Sequence, residues 1–236
     1  MKRKAILLAA SPENSPIPGV FVDLTAFNSF LCSNRGGSWE PEEIICEHDP
    51  TRDQVLKCVV EAKDAEYTLV YFAGHGEIIK SELPWPEMRM LLSSDQTISE
   101  REINSGSPKC TLIMDCCSRL PEQADDTLLI KTSMFQEHCE GGAEFRNIYQ
   151  KGLAAAESGL AKIFVTKVDG SAADTHSFTQ HLLNETNIWT SKTKGILCLR
   201  DAVELAKNSM KREHPQQQPE YRGGRRLRHF PFAVQI

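Results

Sequence analysis

Residues 71–77 read YFAGHGE and close a run of apolar and aromatic residues, EYTLVYFAG (66–74), with a histidine held between two glycines. A second stretch has the same grammar. Residues 110–120, CTLIMDCCSRL, pass from an apolar run into an acid and two adjacent cysteines. Short, continuous apolar runs bounded by turn residues are what strands buried on both faces look like, as in a parallel sheet. In open parallel sheets, ligands bind in the crevice beyond the carboxyl ends of the strands. The two runs therefore predict that His75, after one strand, faces Cys116 and Cys117, after the next.

The same alternation extends along the chain. Strands are expected at KAILLAA (4–10), EEIICEH (42–48), 66–74, 110–115, LAKIFVTKV (160–168) and HFPFAVQI (229–236), the last an edge strand because of Pro231. Amphipathic helices are expected at 23–34, with Leu24, Phe27, Phe30 and Leu31 at helical spacing, and at 52–63, 144–159, 176–186 and 200–213. This is the pattern of one α/β domain over residues 1–236, a three-layer sandwich with helices on both faces of a six-stranded, mostly parallel sheet. Between Ser118 and Gly142 the periodicity fails, which predicts an exposed loop at about 118–142.

Composition narrows the function classes. A formal net charge of −5 gives no pull toward nucleic acid, and the basic stretch YRGGRRLRH (221–229) reads as a solvated loop before the last strand. No apolar run is long enough to cross a membrane. The opening MKRKAILLAA imitates a signal peptide, but SPENSP follows at once and the apolar part fits a buried strand, so a cytoplasmic protein is expected. The eight cysteines are scattered, two are adjacent, and none shows C-x-x-C spacing, which favours reduced thiols. Cys46 and His48 lack partners at ligand spacing, so no structural zinc site is expected.

A cysteine nucleophile acts as its thiolate and needs a nearby base or helix N-terminus to populate it. His75 supplies such a base. In this reading Gly74 lets the chain turn, and Gly76 offers a bare N–H as an oxyanion donor beside the N–H of the attacking cysteine. The competing reading makes His75 a hydrogen-bonded core histidine and the cysteines small core hydrophobes. The coincidence of both motifs at consecutive strand ends favours the dyad.

YFAGHGE followed by LIMDCCS resembles the catalytic pair of the caspase-like cysteine peptidases, above all metacaspases and their prokaryotic relatives, whose motifs read roughly [YF]-[SA]-G-H-G and D-x-C-H-S-G. The two residues lie 42 positions apart, near the ~50 of caspases. Matching D-x-C in order implies Cys117 as nucleophile with Cys116 its buried neighbour, and the N–H groups of Gly76 and Cys117 as the oxyanion hole. Weaker resemblance continues at IPGVFVDLTAFNSFL, where the family's acid at the start of the first helix falls on Asp23. It continues at KVDGSAADTHSFTQHLL, which is similar to a family segment ahead of a phenylalanine-threonine helix and matches at Asp169, Ser171, Ala173 and Asp174. FPFAV resembles a terminal strand of the fold. After Cys117 the chain departs from the family, with Ser-Arg-Leu in place of His-Ser-Gly.

The resemblance implies a cysteine endopeptidase in which Asp23 and Asp115 grip the residue before the scissile bond, with Asp169, Ser171 and Asp174 as walls of that pocket. Two carboxylates suit the fork of a guanidinium and repel an acidic side chain, so cleavage after Arg, and less well after Lys, is expected. The alternative for Asp23 is a helix N-cap. No cofactor is required. Calcium serves some metacaspases, but its ligands are not placed here, and the acids at 122–126 and Glu100 and Glu102 read as solvated surface. The loop from Ser118 to Gly142 contains Arg119 and Lys131, candidate self-cleavage sites. By family analogy the protein would act on a protein substrate under a regulatory protein partner, in prokaryotic antiviral defence or cell death. Three rivals are a catalytically silent caspase-like binding module, a nucleic-acid binder using the basic stretch, and a redox sensor at Cys116 and Cys117.

Overall fold

The computed structural model describes residues 1–17, 19–79, 87–92, 96–118, 141–167, 177–213 and 217–236, with the backbone alone at Ile78, Cys117, Ser118, Thr166, Lys167 and Ser177. In chain order the elements are β1 (Arg3–Ala9), α1 (Gly19–Cys32), a short 3-10 turn (Pro41–Glu43), β2 (Ile44–His48), α2 (Arg52–Ala62) and β3 (Tyr67–Ile79). They continue with β4 (Glu87–Leu91), β5 (Thr97–Ser99), β6 (Lys109–Ser118), α3 (Gly142–Ala155), β7 (Gly159–Lys167), α4 (Ser177–Lys192), β8 (Gly195–Cys198), α5 (Leu199–Glu213), β9 (Gln217–Arg222) and β10 (Pro231–Gln235). The opening apolar stretch is thus a buried strand, all but one of its seven residues inaccessible to water.

The central sheet runs β2-β1-β3-β6-β7-β9, parallel except at β9, with β4 attached antiparallel to the far end of β3 and β5 antiparallel to β4. It is a mixed, mostly parallel sheet flanked by helices. Because successive side chains on a strand point to opposite faces, the pleat divides the core in two. One face, with Leu7, Leu69, Tyr71 and Ile163, packs under α1, α3, α4 and α5. The other, with Ile6, Phe72, Leu112 and Met114, packs under α2 and the β4–β5 hairpin. α2 opens with a reciprocal cap between Thr51 and Gln54, and buries Val55, Cys58 and Ala62 along one stripe.

Four expectations are corrected. The sheet has eight strands among the described residues, because the polar region after β3 contributes the β4–β5 hairpin. The edge strand on β7 is β9, a polar segment carrying Pro219 that no apolar pattern announces; it is held by backbone pairing to the open edge of β7. The C-terminal segment forms β10 and pairs instead with β8 in a separate two-stranded sheet, also unforeseen. Glu100 is not solvated surface: it is buried and its carboxylate accepts from Lys162 Nζ at 2.6 Å. Glu102 is paired with Arg52, while 122–126 and most of the 118–142 loop lie outside the described residues.

Among the described residues no helix is long and apolar enough to cross a membrane, and no cluster of three or more His, Cys, Asp or Glu could hold a metal ion. None of the cysteines described with side chains is in a disulfide, and Cys32 and Cys46 are exposed.

Candidate functional site

Chain order reverses at β1, which has β2 on one side and β3 on the other, while α1 and α2 cover opposite faces. In open α/β sheets such a switch point is where ligands bind, beyond the carboxyl ends of the strands. At that end of the sheet the segment leaving β1 places Ser15 against His75: the imidazole Nε2 lies 2.8 Å from the Ser15 carbonyl oxygen and 2.9 Å from Ser15 Oγ. A carbonyl oxygen only accepts, so the shorter contact requires a proton on Nε2. Nδ1 is then the nitrogen available to take or give one.

His75 does not follow β3, as its sequence implied, but sits inside it. The strand continues to Ile79 because β4 pairs with residues 76–79. In the parallel ladder between β3 and β6, His75 is the direct partner of Cys117 and Ala73 of Asp115. Positions 115 and 117 of β6 share the register parity of Ile113, on the α1/α4 side of the sheet, whereas Cys116 is buried on the other side with its thiol 3.7 Å from Met88 Sδ. Position 117, not 116, is the one in register with His75.

The glycines have reasons other than turning. Gly74 lies in extended strand, where a Cβ would meet Phe72 Cζ at 2.8 Å and Ala10 O at 2.9 Å. At Gly76 a Cβ would sit 2.6 Å from Cys116 Sγ. Gly76 is registered with Ser118 on one side and Met90 on the other.

Below this pair lies an acid cluster. α1 starts at Gly19, earlier than its apolar spacing suggested, so Asp23 is inside the helix and not at its N-cap. It occupies the same buried stripe as Val20, Leu24, Phe27 and Leu31, and is only 2 % exposed. Burial, then the charge of Asp115, push its pKa up to about 8, against a weaker opposing hydrogen bond from Gln180 Nε2 at 3.4 Å. Asp115 is seated at the start of α4: its Oδ2 accepts from the Thr179 N–H at 3.0 Å and from Thr179 Oγ1 at 2.5 Å. Since the Thr179 hydroxyl donates there, the Tyr71 hydroxyl, 2.8 Å away, must donate to Thr179. Burial, then Asp23 and Asp115, hold the Tyr71 phenol well above its usual pKa, so it stays a donor. Tyr71 in turn stacks on Phe27 with centroids 4.4 Å apart, which ties α1 to β3.

Of the residues singled out from sequence, the fold thus gathers His75, Gly76, Cys117, Asp23 and Asp115 around the β1–β3–β6 rim. Asp169, Ser171, Asp174, Arg119 and Lys131 lie outside the described residues. Sequence reasoning missed Ser15, Tyr71, Thr179 and Gln180. Ser15 had a signal, since it follows the first strand at the same end of the sheet. Thr179 had one too, in the phenylalanine-threonine start of its helix. The chain matches no protein-family model and no curated protein.

Proposed function

We propose that the chain is a caspase-like cysteine endopeptidase that cleaves protein substrates after Arg, and less efficiently after Lys. The reading rests on one observation above all: His75 and Cys117 are direct partners on neighbouring parallel strands, with Asp115 two residues before the cysteine and coupled to a buried second acid, Asp23. A single-sequence motif match at either position would not bring these four residues to one rim.

In this mechanism the Cys117 sulfur attacks the carbonyl carbon before the scissile bond, and its proton passes to Nδ1 of His75. The tetrahedral oxyanion is received by backbone N–H groups, among which those of Gly76 and Cys117 are proposed. Collapse breaks the C–N bond as His75 returns the proton to the leaving amine; water then hydrolyses the thioester with His75 again as base. The Ser15 carbonyl keeps the ring oriented by accepting a hydrogen bond from the Nε2–H, so that Nδ1 does the transfer. The two acids supply the charge that a guanidinium seeks, and Asp23 gives up its proton when the cation arrives.

A fluorogenic arginine peptide, compared with lysine and aspartate peptides, tests the reading. Cys117→Ala and His75→Ala should each lower turnover roughly a thousandfold or more, and Asp115→Asn should cost about a hundredfold for arginine. Equal cleavage of aspartate peptides would overturn the specificity. Absence of turnover in the wild type across pH and calcium conditions would favour the catalytically silent module instead. Incubating wild type beside Cys117→Ala and seeking fragments ending at Arg119 or Lys131 tests self-cleavage, and with it control by the 118–142 segment. A regulatory partner and a role in defence or cell death extend this proposal by family analogy.

A further inference from the structure

The loop joining β9 to β10 lies at the opposite pole of the sheet from His75. β9 ends with Arg222 opposite Lys162, so the chain leaves it beside the amino end of β7, where a Cβ on Gly159 would come within 3.0 Å of Arg226. This loop is fixed in place. Arg226 donates to the Gly223 carbonyl at 2.5 Å and the Glu157 carbonyl at 3.2 Å, and its guanidinium lies 4.4 Å from the Phe230 ring centroid. The Leu227 N–H donates to the Glu157 carboxylate at 3.1 Å, and Gly224 takes a φ of 66°, open to glycine.

What the fixed loop holds out is a leucine among arginines. Leu227 is 94 % exposed. Arg225 and Arg228 beside it are exposed, and neither forms an ion pair with a described residue, whereas the nearby carboxylates are used: Glu220 by Arg222, Asp201 by Arg200, and Glu157 by the loop's own backbone. Ordering a surface loop costs conformational entropy, and displaying an apolar side chain on it leaves that surface hydrated.

We propose that residues 222–228 form a docking surface for an acidic protein segment that carries an apolar residue, remote from the candidate active site. Arg225 and Arg228 pair with its carboxylates, and Leu227 is covered by its apolar side chain. A simple polyanion would leave Leu227 unused, and the chain's overall charge of −5 opposes a long one. The segment is recognised by charge spacing plus one buried apolar contact, the usual division between steering and anchoring at an interface.

Fluorescence anisotropy at low ionic strength tests the surface without reference to peptidase activity. The probes are a labelled peptide of repeating Glu-Glu-Leu, an all-glutamate peptide of equal length, and a single-stranded DNA oligonucleotide of comparable charge. The wild type should prefer the leucine-containing peptide about fivefold over the all-glutamate one, Leu227→Ser should erase that preference, and Arg225→Glu with Arg228→Glu should weaken both roughly a hundredfold. The variants should melt where the wild type does, since all three side chains are exposed. If the charge reversal melts early, Arg225→Gln with Arg228→Gln provides the same comparison. No binding by the wild type, or binding unchanged by the substitutions, overturns the proposal. Tighter binding of the oligonucleotide with a steep salt slope overturns it in favour of nucleic acid.

Discussion

Asp23 occupies a place that helix periodicity reserves for a hydrophobe, flanked along its stripe by Val20, Leu24 and Phe27. Its pKa, raised from 3.8 to about 8, means that the folded state holds a proton there which the unfolded chain releases. Stability contributed by that proton is full below about pH 4, declines as pH rises, and is gone above about pH 8. Melting temperature should therefore fall between those limits in the wild type, and Asp23→Asn should flatten the fall and gain a few kcal/mol at pH 8. A cation placed beside the acids favours the ionised form, so benzamidine should bind the wild type more tightly at pH 8 than at pH 6, and Asp23→Asn should lose that dependence. Benzamidine affinity independent of pH would contradict the coupling. At Gly76 the constraint is steric. Gly76→Ala forces a methyl against Cys116 Sγ and should cost about 1–3 kcal/mol in denaturant melts, separately from any effect on turnover. The acid at 23 was readable from the sequence as a candidate, but its depth in the helix was not, because the start of α1 is set by packing and not by a polar cap residue.

At the scale of elements, the site depends on where β3 and α4 begin and end. Glycine-histidine-glycine looks like the end of a strand because two glycines weaken any local strand preference. The ladder to β6 and the pairing of β4 with residues 76–79 carry the strand past it, a non-local gain that local propensity does not contain. α4 opens against Asp115, whose carboxylate meets the helix N-terminus through Thr179, an arrangement that the positive end of the helix dipole favours. Thr179→Val keeps the shape and removes the hydroxyl that links Tyr71 to Asp115. It should cost about 1–3 kcal/mol of stability, because the buried phenol and the half-buried carboxylate each lose a hydrogen bond. If the proposed specificity holds, the loss in kcat/KM toward arginine peptides should appear mainly in KM, and Thr179→Ser should restore it. An unchanged KM would leave Thr179 as a purely structural contact.

For the whole molecule, Glu43 is a junction. Its carboxylate accepts from Arg3 of β1 and from Arg146 of α3, and Arg3 also donates to the Gly37 and Ser38 carbonyls beyond α1 while lying 4.2 Å from the Trp39 ring centroid. Burial pushes the Glu43 pKa up, but hydrogen bonds from Arg146 and Arg3 outweigh it and leave the group below its usual value. Its contribution is thus present above about pH 4.5 and lost as pH falls through the lowered folded value. Glu43→Gln should cost about 3 kcal/mol at neutral pH, since two guanidiniums lose their counter-charge, with the difference from wild type shrinking in acid. An equal deficit at all pH values would argue against the ion pairs. The α/β class, the central strands and the histidine and cysteine motifs were legible in the residues, because continuous apolar runs bury on both faces whatever surrounds them. The D-x-C match already pointed to Cys117 over Cys116, and the fold adds its register with His75; the contacts of Ser15 and Thr179, and the pairing of β9 instead of the C-terminal segment with β7, come from the fold only. Register, face and edge pairing are set by contacts between residues far apart in the chain, and no local window of sequence contains them.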